Sequence, residues 1–118
     1  MKIPFGKPII DSREIKAVKK VLTTGTLVHG KKTLEFEENF KKFTKSKYSV
    51  AVSSCTAAMH LFYFTNNIGK GDEVIVPSQT HLATVHAVEL TGAKPIFVDS
   101  EIKTGNINVD QIEKKITK

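Results

Sequence analysis

Ser53-Ser54-Cys55-Thr56-Ala57-Ala58 lies between two apolar runs, Tyr48 to Val52 and Leu61 to Phe64. Small and hydroxylated residues where a strand passes into a helix leave the first N–H groups of that helix open to an anion, phosphate above all. Small side chains at Cys55, Ala57 and Ala58 permit close approach, and the Thr56 hydroxyl adds a donor. The same residues also suit plain capping by Ser54 or Thr56, and the stretch alone leaves both readings open. A second stretch, Pro77-Ser78-Gln79-Thr80-His81-Leu82-Ala83-Thr84, puts His81 at the first turn of a helix after a buried strand. An imidazole there could lie over a flat heterocycle, although an isolated histidine is more often packed or solvated. A third segment, Asp99 to Asn106, follows another strand. In open α/β sheets ligands bind beyond the carboxyl ends of the strands, so these three segments are expected on one face of the sheet.

Other chemistries find little support. His29, His60 and His86 have no metal spacing with each other or with acidic residues, so no metal site is expected. The single cysteine, Cys55, has no local partner to activate it and reads as a small buried filler. It excludes an internal disulfide and a Cys-rich metal centre, and fits a reducing compartment. Neither G-x-x-x-x-G-K-[ST] nor G-x-G-x-x-G occurs, which argues against the usual nucleotide loops.

The elements that would position these residues follow from patterning. Asp11-Ser12-Arg13-Glu14 is a capping-box pattern, and Ile15, Val18, Val21 and Leu22 follow at helical spacing up to Gly25. After a loop, Leu34, Phe36, Phe40 and Phe43 mark a second amphipathic helix, with the phenylalanines read as core. From residue 48 the pattern changes to strand (Tyr48–Val52), helix (Thr56–Asn66), strand (Glu73–Pro77), helix (Thr80–Thr91) and strand (Pro95–Asp99). The glycine-rich turn Gly69-Lys70-Gly71-Asp72 precedes the second strand, and a capping-box pattern at Asn108 opens another helix. This is α/β: two leading helices, then βαβαβ units with a mostly parallel sheet. The expected division is a helical segment over 1–47 and a partial α/β domain over 48–118. Three short strands leave edges that need cover, so the chain reads as the opening of a larger, incomplete α/β domain.

At 118 residues the chain holds one domain at most. All but one of its 18 basic residues are Lys, spread along the sequence, with a formal charge of +6. Nucleic-acid sites draw heavily on Arg, so the lysines read as solvated helix faces and no nucleic-acid partner is expected. No apolar run approaches the roughly 20 residues needed to span a bilayer. The opening Met-Lys-Ile-Pro-Phe-Gly-Lys-Pro lacks an apolar segment of signal-peptide length, which makes the cytoplasm the expected location.

Three segments, "VAVSSCTAAMHL", "GKGDEVIVPSQTHLATVHAVELTGAKPIFVD" and "TGNINVDQIEKKIT", resemble the opening of nucleotide-sugar aminotransferases of the DegT/StrS family. Upstream, "GTLVHGKKTLEFEENFKKF" is similar to that family's N-terminal loop and helix. The resemblance runs from about Ile3 to Thr117 and implies a pyridoxal 5′-phosphate enzyme of aspartate-aminotransferase-like fold. It implies that Thr56 and Ala57 hold the cofactor phosphate and that His81 stacks on the pyridine ring. It implies Thr26, Leu27 and His29 as contacts to the nucleotide-sugar. The implied reaction moves an amino group, commonly from glutamate, to a keto nucleotide-sugar for surface polysaccharide or lipopolysaccharide, in a homodimer. The family's Schiff-base lysine, its pyridine-pairing acid and its small C-terminal domain match nothing in this sequence. No catalytic residue is therefore nominated, and the chain alone is expected to be inactive. Two alternatives stand beside this. One is a sugar dehydratase of the same family, with histidine in place of that lysine. The other is a non-catalytic phosphate-binding remnant.

Overall fold

A computed structural model describes residues 3–117. It is an α/β structure with helices and a small parallel sheet. The chain forms two compact units, one ending at Ala51 and one beginning at Val52.

The first unit holds helices α1 (Ser12–Leu22) and α2 (Lys31–Thr44). Helix α1 begins with the capping box read from the sequence. The Arg13 N–H donates to the Asp11 carboxylate at 2.7 Å, and the Asp11 N–H donates to Glu14 Oε2 at 2.7 Å. These bonds satisfy donors that no helical carbonyl can reach. The Arg13 guanidinium also bonds the Asp11 carboxylate at 2.8 Å and, with the Arg13 N–H, holds that carboxyl below the usual range. Beyond the helix Gly25 takes φ +71°, the left-handed conformation expected of it.

The apolar stripe of α2 departs from expectation. Leu34, Phe36, Phe40 and Phe43 are exposed rather than core, Phe43 at 86%. Neither α1 nor α2 has a buried residue. An amphipathic stripe is buried only by an opposing layer, and nothing described within this unit supplies one.

The second unit holds α3 (Cys55–Thr65), β1 (Glu73–Pro77), α4 (Leu82–Glu89) and β2 (Lys94–Val98). Strands β1 and β2 pair in parallel with Ile75 opposite Ile96, joined by α4 as a βαβ crossover. Tyr48–Val52 forms no strand, against expectation, and the sheet among the described residues has two strands rather than three. A strand exists only where a partner takes its N–H and C=O groups, and β1 and β2 pair only with each other. The expected helix from Asn108 is two 3₁₀ turns, Val109–Gln111 and Glu113–Lys115. Val109 and Ile116 stay exposed and Gln111 and Ile112 are only half-buried, so little packing supports a longer helix.

The core is small. Val76, Val88 and Ala93 form its centre, with Tyr63, Ile68, Val74 and Val85 packed against them. Ala87 and Val98 are also fully buried. Helix α4 packs on α3 and on both strands, so its Ala87-Val88 pair is the point where the layers meet. Gly92 turns the chain from α4 into β2 at φ +83°, where a β-carbon would touch Lys70 at 3.6 Å.

The parallel register sets Glu73 opposite Lys94. Lys94 Nζ lies 3.0 Å from Glu73 Oε1, and Thr117 Oγ1 donates to Oε2 at 2.8 Å. Bonding to Lys94 first, and to Thr117 second, holds the Glu73 carboxyl below its ordinary value. A carboxylate with a depressed folded pKa adds stability above its unfolded value, near 4.3. That stability is lost as pH falls through the folded pKa. Urea midpoints followed with pH should show Glu73→Gln less stable than the parent at pH 7. The two curves should converge below about pH 4; parallel curves would mean that the pair contributes nothing.

Candidate functional site

Helix α3 starts where the strand-to-helix reading placed it, within one residue. Ser54, extended at φ −160° and ψ 161°, is the N-cap, and its Oγ accepts from Ala57 N at 3.1 Å. The Ala58 N–H bonds the Ser54 carbonyl at 3.1 Å. The N–H groups of Cys55 and Thr56 precede any helical acceptor and are left for another partner. Capping and an open anion face therefore coexist here: Ser54 takes one donor and two remain.

Thr56 and Ala57 are half-buried in this turn, and no acidic residue occupies it. Helix α1, by contrast, puts Glu14 at the equivalent third position. Cys55 is exposed, not the buried filler expected from its type. Thr56 and Ala57 take the half-buried side of the turn, and among the described residues Cys55 is left on its exposed side. Small side chains, two free N–H groups, a hydroxyl and the positive end of the helix dipole suit a phosphate. These residues fit the phosphate of the cofactor that the sequence resemblance implies.

His81 is the N-cap of α4, one residue ahead of the helix rather than inside its first turn. Its Nδ1 accepts from Ala83 N at 3.1 Å, and its carbonyl accepts from Thr84 N at 2.9 Å. As an acceptor Nδ1 carries no proton, so the hydrogen sits on Nε2. The ring is exposed and is pinned at one nitrogen. A pinned, solvent-facing imidazole can offer its face to a flat ligand and its Nε2–H as a donor.

Sequence reasoning expects the exits of β1 and β2 on one face of the sheet, but it did not find the contacts that join them. The Ser78 N–H continues the ladder to the Val98 carbonyl at 2.8 Å. Ser78 Oγ lies 3.2 Å from Asp99 Oδ1, which also accepts from Ser100 N at 2.9 Å. The Asp99 carbonyl accepts from Asn108 N at 2.8 Å, and Ser100 bridges Ile107 across a short turn. The Ser100 hydroxyl is buried with no partner among the described residues. Strand ends were legible at Pro77 and near Asp99, but only the register brings them side by side.

Thr26, Leu27 and His29 belong to the first unit, where they line one cleft of about 550 Å³ with Lys20, Lys31 and Thr33. His29 is left-handed at φ 51°, and a β-carbon on Gly30 would meet the Thr26 carbonyl at 3.2 Å. Non-glycine residues hold that conformation at a cost, and such residues cluster at ligand sites. The residues nominated from sequence thus fall into two groups. Thr26, Leu27 and His29 share a cleft in one unit; Thr56, Ala57 and His81 stand at two helix starts in the other.

Among the described residues no cluster of three His, Cys, Asp or Glu could hold a metal ion, and no helix is long and apolar enough to cross a membrane.

Comparison with known proteins agrees in sequence and in fold. Residues 8–118 match the model of the DegT/DnrJ/EryC1/StrS aminotransferase family. Spr1654 from Streptococcus pneumoniae, assigned as a sugar aminotransferase, has been solved in PMP and PLP forms. It is 36% identical to this chain, with a TM-score of 0.91 over 99% of this chain and 30% of its own. DesV of S. venezuelae is 34% identical, with a TM-score of 0.83 over 90% of this chain and 29% of its own. A GDP-4-keto-6-deoxymannose-3-dehydratase solved with a trapped PLP-glutamate geminal diamine is 30% identical. Its TM-score is 0.88 over 98% of this chain and 32% of its own. The chain thus spans about 30% of the length of these solved proteins. With its fold and its whole sequence from Pro8 onward accounted for in this way, the chain belongs to the DegT/DnrJ/EryC1/StrS aminotransferase family.

Proposed function

We propose that this chain carries the phosphate-binding and ring-contacting part of a pyridoxal-phosphate-dependent sugar aminotransferase. The observation that carries this is the α3 N-terminus, open at Cys55 and Thr56, in a chain similar to Spr1654, which was solved with PLP and with PMP. The Cys55 and Thr56 N–H groups and the Thr56 hydroxyl hold the phosphate, and Ala57 keeps space for it. His81 lies against the ring, with Nδ1 occupied by Ala83 and the imidazole face free. When bound, the cofactor supplies the electron sink that lets an amino group pass from a donor such as glutamate to a keto nucleotide-sugar. Thr26, Leu27 and His29 contact that sugar nucleotide from their cleft.

The product would serve surface polysaccharide or lipopolysaccharide, made by a cytoplasmic homodimer. None of the lysines here matches the family's cofactor-linking lysine, so residues 1–118 bind rather than transaminate. A dehydratase is the second reading, favoured by the 30% identity to GDP-4-keto-6-deoxymannose-3-dehydratase. The residue at the cofactor-linking position, lysine or histidine, separates the two.

Cys55 is the single cysteine and is exposed at the proposed phosphate site, so its labelling rate reports on one place. Pyridoxamine phosphate is the probe of choice, because it lacks the aldehyde that would react with the many lysines. It should slow labelling of Cys55 by Ellman's reagent about tenfold at saturation, as expected for a charge-assisted phosphate site. Pyridoxamine without phosphate should protect far less. Equal labelling rates with and without pyridoxamine phosphate would remove the site from α3.

A further inference from the structure

The turn that carries His81 is held at both ends. At its start, Ser78 is tied to β2 by its N–H on the Val98 carbonyl and by its hydroxyl on Asp99. At its end, Thr80 Oγ1 and Thr84 Oγ1 lie 3.0 Å apart and His81 caps α4 through Ala83. The Ser78–Asp99 contact is the one side-chain link from this turn to the neighbouring strand among the described residues, joining positions 21 apart. Asp99 is held in turn by Ser100 N on its carboxylate and by Asn108 N on its carbonyl. It sits where the exit of β2, the β1–α4 turn and the 100–107 turn converge.

We propose that Asp99 is a positioning residue for His81. Its carboxylate fixes Ser78, Ser78 fixes the start of the four-residue turn, and the turn sets the His81 ring in its capping pose. Asp99 need not touch the ligand. What it supplies is an acceptor for two donors, the Ser78 hydroxyl and the Ser100 N–H. Asparagine can supply that acceptor through its amide oxygen; alanine cannot. The functional part of the proposal rests on the assignment of His81 to the cofactor ring; the conformational part does not.

The test uses the whole chain and two readouts. Nitrogen-15 NMR of the His81 ring and exchange of the Ala83 amide report the pose without any ligand. Asp99→Ala and Ser78→Ala should each speed Ala83 exchange about fivefold, the factor that one net hydrogen bond of about 1 kcal/mol is worth. Both should move the Nδ1 signal away from its acceptor position. Asp99→Asn should keep both signals at parent values. Protection of the Val88 amide shows whether the fold is intact, and Ser78→Ala decides if Asp99→Ala unfolds. In the second readout, Asp99→Ala should weaken pyridoxamine phosphate about fivefold in the Cys55 assay and leave protection by inorganic phosphate unchanged.

An unchanged Ala83 amide in both alanine variants overturns the proposal. So does failure of Asp99→Asn alongside Asp99→Ala, because charge rather than an acceptor would then be needed. An equal loss of phosphate and pyridoxamine phosphate binding also overturns it, since the damage would not be confined to the ring contact. If the parent chain binds neither probe, the cofactor assignment fails, and the Ala83 result still decides whether Asp99 sets the turn.

Discussion

Ala57→Glu should make the second unit more stable and abolish its protection by pyridoxamine phosphate. Ala57 is the third residue of α3, and Ser54 already accepts from its N–H. A glutamate there can reach back to the Ser54 N–H, completing the capping box that Asp11 and Glu14 form on α1 with bonds of 2.7 Å. The reciprocal bond and the carboxylate at the positive end of the helix should add about 0.5–1 kcal/mol. For a unit of this size that is about 4 °C in Tm. The same carboxylate would stand beside the proposed phosphate. Juxtaposed like charges cost several kcal/mol, so affinity should fall about 100-fold or more. Calorimetry and the Cys55 assay measure the two effects separately. A general disruption would lower both stability and binding. Retained binding would show that no anion occupies this turn, and the absence of an acid from it would then be only a weak helix start.

Val88→Asp should unfold the second unit, whereas Phe43→Asp should leave the first nearly unchanged. Val88 has no exposed surface and lies against Val76 and Ala93, within reach of Tyr63, Ile68, Val74 and Val85. Among the described residues no charged residue is buried, so a carboxylate there would find no cation. An unpaired buried charge costs several kcal/mol, or neutralises at a similar cost. Small domains have a total of about 5 kcal/mol to lose, and this one rests on few buried residues. Val88→Ala, which only removes methyl groups, should cost about 2 kcal/mol. Phe43 is 86% exposed, and substitutions at such positions stay within about 0.5 kcal/mol. Urea unfolding followed by circular dichroism ranks the three variants. A cooperative transition retained in Val88→Asp would mean that the cluster is not the core on which the unit depends. A large loss in Phe43→Asp would show that α2 buries its stripe against something in solution.

Local chemistry was legible wherever a few adjacent residues decide the outcome. Asp11 and Glu14 cap α1 because an acceptor and a glutamate three residues on satisfy each other's donors, whatever surrounds them. Ser54 is one of the two caps that the sequence offers for α3, and Glu73–Pro77 is a strand over the residues its composition marks. Gly25 takes the left-handed conformation because that preference lies in its own missing β-carbon. Family membership was legible for a different reason. It rests on an ordered set of segments along the whole chain, each uninformative by itself.

Only the tertiary structure decided the rest, because the outcome depends on what stands opposite. Tyr48–Val52 has strand composition and no strand to pair with among the described residues. The α2 phenylalanines have core spacing and no opposing layer within their unit, and Cys55 has the size of a buried filler and nothing over it. Val109–Lys115 has a helical start and little surface to pack on, so it stops at 3₁₀ turns. The Ser78–Asp99 link was invisible for the same reason. Twenty-one positions separate the two residues, and only the parallel register of β1 on β2 brings them within 3.2 Å. Composition, caps and turns are written into neighbouring residues, and ancestry into the order of segments along the chain; burial, strand pairing and the Ser78–Asp99 link belong to contacts between residues far apart in it.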